Sequence, residues 1–176
     1  MNPRSGTAIA ICGKKKGLET KSKARRTTAS QQDVQTTAKC PKGTKSVGGG
    51  GSINNTGLLV ASGPIADDGW TVRYRLPGTV RTKVEAWAIC DSDAKKIQVV
   101  QATDEITGRR RGNDGTGTAT AECPSGTKVV SGGHAKVDAI EYGFAYDHSM
   151  PEGNGWQVQG YGHEGVLSAF AVCEKQ

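Results

Sequence analysis

Aromatic side chains are scarce, 5% of 176 residues, and apolar residues of every kind reach only 35%. A core must therefore be lean and drawn from Val, Ile, Ala and Leu. No run approaches the roughly 18 apolar residues of a membrane-spanning helix, and no segment carries helical periodicity. No Cys-x2-4-Cys spacing exists, which excludes the common zinc modules. No G-x-S-x-G elbow exists for a serine hydrolase. The glycine runs lack the Lys-Ser/Thr ending of a phosphate loop. The opening stretch MNPRSGTAIAICGKKKG has no signal-peptide h-region, so a secreted form is expected to be mature or truncated.

What the chain has in excess is glycine, 25 residues, as short strands and tight turns require. Its net charge of +6 is unevenly placed. Residues 1–26 hold eight Lys and Arg against one acid, Glu19, and the remaining 150 hold fifteen against sixteen. The basicity belongs to one segment and is no property of the whole surface.

One stretch occurs twice and a half. The first copy runs from Cys40 to Cys90, opening CPKGTKSVGGGG and closing VEAWAIC; the second runs from Cys123 to Cys173, opening CPSGTKVVSGGH and closing LSAFAVC. Both cysteine pairs are 50 residues apart, and each copy carries a Gly-Trp pair, Gly69-Trp70 and Gly155-Trp156. A third closing strand, residues 7–12, has no opening half before it. Such a period marks a repeated supersecondary unit. The equal spacings favour the disulfides Cys40–Cys90 and Cys123–Cys173, leaving Cys12 unpaired. The competing set is Cys12–Cys40 and Cys90–Cys123, which leaves Cys173 over; sequence alone does not decide between them. Disulfides point to an oxidising compartment, and reduced cytosolic cysteines are the alternative.

The closing strands share a pattern. Ile9 and Ile11, Trp87 and Ile89, and Phe170 and Val172 take the bulky face; Ala8, Ala10 and Cys12, Ala86, Ala88 and Cys90, and Ala169, Ala171 and Cys173 take the small one. Both faces are expected to be buried, which makes these central strands with Trp87 in the core. In the connector 91–122, IQVVQAT and TGTATAEC flank RRRGNDG, which predicts a hairpin. By analogy 14–39 is a second hairpin, with Arg25 and Arg26 near its tip.

The set CPxGT, GGG, a Ser-x-Pro or Ser-Met-Pro, GW and A-x-A-I/V-C resembles a repeat of secreted bacterial proteins. It is also similar to the disulfide-bearing three-fold modules at the C-termini of some perforin-like proteins. The resemblance covers 40–90 and 123–173, with 7–12 as a stub. It implies an all-β fold, an antiparallel β-prism with pseudo-three-fold repeats, used for attachment to membranes or glycans. One domain is expected over 1–176, divided into a repeat stub 1–39 and repeats 40–122 and 123–176. Three whole repeats would need about 240 residues. The missing opening half is explained by absent upstream sequence, by a different closure, or by a neighbouring subunit that fills the gap in trans.

Candidate chemistry is sparse. His134, His148 and His163 match no ligand spacing, and copy one has Gly51 where copy two has His134. No metal, cofactor or catalytic group is expected, and an enzyme is the least favoured class. The basic stretches Lys14, Lys15, Lys16, Arg25, Arg26 and Arg109, Arg110, Arg111 are candidate binding residues for sulfated glycans, phosphates or anionic lipid. A solvated edge is the plainer account. Nucleic acid is disfavoured, because these stretches hold no aromatic residue for base stacking. Trp70 and Trp156 are candidate sugar-stacking platforms or, alternatively, caps on each sheet. The expected function is a secreted, lectin-like binding or attachment module for glycans or an anionic surface. The alternative is a self-assembling structural protein completed by an identical subunit.

Overall fold

The computed structural model describes residues 10, 17–26, 33–65, 68–78, 81–94, 96–107, 115–136, 144–162 and 164–176, with backbone only at 22–26. Among these the chain is all-β, twelve antiparallel strands and no helix. They are β1 (Leu18–Arg26), β2 (Asp33–Lys39), β3 (Lys45–Ile53), β4 (Leu58–Ile65), β5 (Gly69–Arg75) and β6 (Lys83–Asp91). A second series follows: β7 (Ile97–Ile106), β8 (Gly115–Glu122), β9 (Thr127–Lys136), β10 (Ala145–Glu152), β11 (Gly155–Gly162) and β12 (Gly165–Lys175).

Each series of six is one unit of two facing three-stranded layers. The first unit places β1-β6-β3 against β2-β5-β4; the second places β7-β12-β9 against β8-β11-β10. The units join where β4 pairs with β9, Ala61 opposite Ala135 and Ser62 opposite His134, which fuses two layers into the six-stranded sheet β2-β5-β4-β9-β12-β7. Two units are thus described. The stub strand at 7–12 lies outside the described residues apart from Ala10.

The closing strands are central, as their alternation predicts: β6 lies between β1 and β3, and β12 between β7 and β9. Their small faces are sealed, since Val84, Ala86, Ala88, Cys90, Leu167, Ala169, Ala171 and Cys173 are all fully buried. Small side chains let the facing layer approach closely, and a disulfide crosses each gap: Cys40–Cys90 and Cys123–Cys173, both with Cα atoms 5.6 Å apart. The pairing favoured by the equal spacings is the one present.

Two expectations are corrected. The connectors do not make hairpins: β7 pairs with β12 and β8 with β11, just as β1 pairs with β6 and β2 with β5. The two strands of each connector lie in opposite layers, so they face one another across the core. The spatial units accordingly begin at β1 and β7, one connector earlier than the cysteine-to-cysteine count. The second correction concerns β6. Its bulky face is not buried on both sides: Trp87 is half-buried and Ile89 is 36% exposed.

The CPxGT motif has a plain local cause. Thr44 donates its backbone N–H to the Pro41 carbonyl at 3.1 Å, with its hydroxyl on the same oxygen at 2.9 Å; Thr127 and Pro124 repeat this at 3.1 and 2.6 Å. Gly43 and Gly126 take the left-handed position of the turn, at φ 88° and 79°.

Candidate functional site

Trp70 and Trp156 occupy one slot twice. Gly49 and Gly132 line it, and a Cβ on either would lie 2.3 or 2.1 Å from the indole. Each indole N–H donates to a serine hydroxyl, Ser62 at 3.0 Å and Ser149 at 2.9 Å. Trp70 is 2% exposed and belongs to the first core; Trp156 is half-buried against the second. Trp70, wedged over glycine and almost wholly buried, has no open face for a sugar ring, while Trp156 has one face against Gly132 and its N–H already bonded. Trp70 is therefore a core residue and no stacking platform, and in both copies the glycine run makes room for the indole.

The basic residues are placed only in part. Arg25 and Arg26 end β1, opposite Val84 and Lys83, and their side chains are not described. Lys14, Lys15, Lys16 and Cys12 lie outside the described residues, as do Arg109, Arg110 and Arg111, which fall in sequence between β7 and β8. Arg25 and Arg26 are thus the last residues of β1, and the connector 27–32 after them holds no arginine, whereas the connector after β7 holds three.

The histidines do not converge. His148 lies 3.3 Å from Asp147 and 3.0 Å from the Gln157 amide oxygen, on an edge strand. His163 is outside the described residues. No group of three metal-ligating side chains occurs among the described residues. His134 instead lies at the seam between the units, its ring 4.2 Å from that of Tyr146, which in turn meets Phe144 edge-on at 4.8 Å. Its Nε2 is sealed from solvent without a hydrogen-bond partner. Burial therefore pushes its pKa down to about 4. Tyr146 donates to the Val60 carbonyl at 2.8 Å, and burial raises its hydroxyl far above the usual range. Arg73 spans the same seam, donating to the Lys136 carbonyl at 2.8 Å. This set seals two units together and offers no reacting atom to solvent. Its one sequence signal was the histidine standing where the first copy has Gly51.

The feature that sequence reasoning missed is an asymmetry between matched faces. Val172, on the outer face of β12, is fully buried and joins the first unit's core, with Ile97 and Val130 packed alongside. In return Val60 of β4 enters the second unit's core. The first unit carries the same outer face on β1-β6-β3, but there Leu18 is 50% exposed and Ile89 36% exposed. No described strand pairs with the outer edge of β3 or of β10. The match between faces could not be drawn before the strand registers were known.

Comparison with protein-family models, with curated proteins and with solved structures finds no match.

Proposed function

We propose that this protein is a non-enzymatic structural module, secreted and disulfide-clamped, that acts by joining further units like its own. The carrying observation is the matched sheet face, covered in the second unit, whereas in the first Leu18 and Ile89 are exposed and no described strand pairs with the adjoining edge of β3. An apolar face with an unpaired strand edge beside it is a surface that a soluble protein ordinarily covers or blunts. The two disulfides support an extracellular setting. A three-fold β-prism belongs to the same proposal: the resemblance implies three units, and the open face is where a further unit would sit. Light scattering of the full chain across a concentration series tests this reading. Species heavier than one chain are expected to grow with concentration, and a single-chain mass throughout overturns it.

A second reading, attachment to glycans or anionic lipid, is favoured by two basic runs, Arg25 and Arg26 at the end of β1 and Arg109, Arg110 and Arg111 in the connector after β7. It predicts retention on heparin or anionic vesicles that falls with salt and with replacement of Arg109, Arg110 and Arg111 by Ser. Retention indifferent to both contradicts it.

A further inference from the structure

The joint between the two units specifies how another unit would attach. Resting on the assembly reading, we infer that β10 of one chain pairs with the free edge of β3 in a second copy of the same chain, covering that copy's Leu18, Trp87 and Ile89.

The equivalence follows from register. Leu18 lies opposite Asp91, the residue after Cys90, and Ile97 lies opposite Glu174, the residue after Cys173. Leu18 therefore corresponds to Ile97, Ile89 to Val172 and Trp87 to Phe170. Val47 and Val130 correspond as well, each sitting at the register shift of its strand, β3 or β9. In the second unit this face is covered by the first, and β4 supplies the pairing strand along β9.

Strand β10 is built like β4. Both break register at the same place, between Leu59 and Ala61 and between Tyr146 and His148. Both set a proline opposite the slot tryptophan, Pro64 with Trp70 and Pro151 with Trp156. Both use a serine to hold that indole. The receiving edge of β3, with glycines from 48 to 51, has few side chains in the way of an incoming strand. Transferring the β4–β9 register puts His148 of one copy opposite Ser52 of the next, and Ser149 opposite Gly51. One residue departs from the template. At the register shift β4 has Val60, fully buried, whereas β10 has Asp147, whose side chain is 61% exposed. A carboxylate entering that contact must be desolvated, so the joint between chains is weaker than the joint within one. The contact is head to tail, leaving each chain a free β10 at one end and a free face at the other.

The test is a mixed disulfide in full-length protein carrying Cys12→Ser. Ser52→Cys and His148→Cys are made in separate chains, oxidised alone and as a mixture. Directly opposed residues on antiparallel strands lie within the roughly 4.4–6.8 Å that a disulfide spans. A mixed dimer, with a peptide cross-linked between the two introduced cysteines, should exceed at least tenfold the dimer formed by either chain alone. Adding Ile89→Glu to the Ser52→Cys chain should remove at least about nine-tenths of it, with the circular dichroism spectrum unchanged. Adding Asp147→Val to the His148→Cys chain should increase it severalfold. Chains that remain monomeric at every concentration overturn both this joint and the assembly reading. Chains that associate without the mixed disulfide, or despite Ile89→Glu, overturn the joint alone.

Discussion

At the scale of residues, the fold depends on which side chains are missing. Gly49 and Gly132 leave room for Trp70 and Trp156, and a methyl group there would also lie 2.5 Å from a backbone carbonyl, that of Trp87 or Phe170. Gly49→Ala and Gly132→Ala should each cost about 3 kcal/mol in urea unfolding, because neither an indole nor a central strand can step aside. Gly43→Ala faces open space and strains only its positive φ, so it should cost about 1 kcal/mol. His134 sets a pH dependence. Its pKa is about 4 when folded and near 6.5 when unfolded, so the unfolded chain takes up the proton first as pH falls. Its contribution is complete above pH 6.5, is lost between pH 6.5 and about 4, and changes no further below that. The difference in stability between wild type and His134→Phe should vary with pH in that window by an amount on the order of 3 kcal/mol. A difference that is flat with pH would contradict the buried, unpartnered imidazole. The histidine's presence was legible in the sequence, and so was its mismatch with Gly51. Its neighbours were not, since Tyr146 and Arg73 reach it only through the pairing of strands from different units.

At the scale of elements, the all-β character was legible because alternation at period two leaves no other account of VEAWAIC and LSAFAVC. The disulfide pairing was favoured because each repeat closes on itself at the same spacing. That each connector's strands lie in opposite layers was not legible. A polar, glycine-containing turn between two alternating strands looks the same whether the strands pair or face one another across a core. What separates the two is which neighbours each strand finds, and the disulfide takes part in that choice by tying the end of β2 to β6 and the end of β8 to β12. Each disulfide is thus a clamp between layers and closes a loop of 50 residues. Replacing Cys40 and Cys90 together by Ala should cost about 4 kcal/mol on loop-entropy grounds, measured by denaturant unfolding against wild type. A loss well under 1 kcal/mol would mean that the layers hold without the clamp. The loss should be similar for Cys123 and Cys173, because the two units share one plan.

At the scale of the whole molecule, two copies of one unit are joined through an edge strand and an exchange of valines, Val60 in one direction and Val172 in the other. That joint covers the outer face of the second unit and, among the described residues, leaves the matching face of the first and the edges of β3 and β10 unpaired. The sequence showed the repeat and the lone closing strand at 7–12, but not which face the repeat leaves open, because exposure belongs to the assembled sheets. Amide hydrogen exchange of the full chain, at low and at high protein concentration, tests the central claim most directly. The paired segments of β4 and β9 should be protected at both concentrations. The edge strands β3 and β10 should exchange fast when dilute and become protected together when concentrated, and Ile89→Glu should abolish that gain. Protection of β3 that does not change with concentration, or a gain in β3 without one in β10, would contradict the head-to-tail joint.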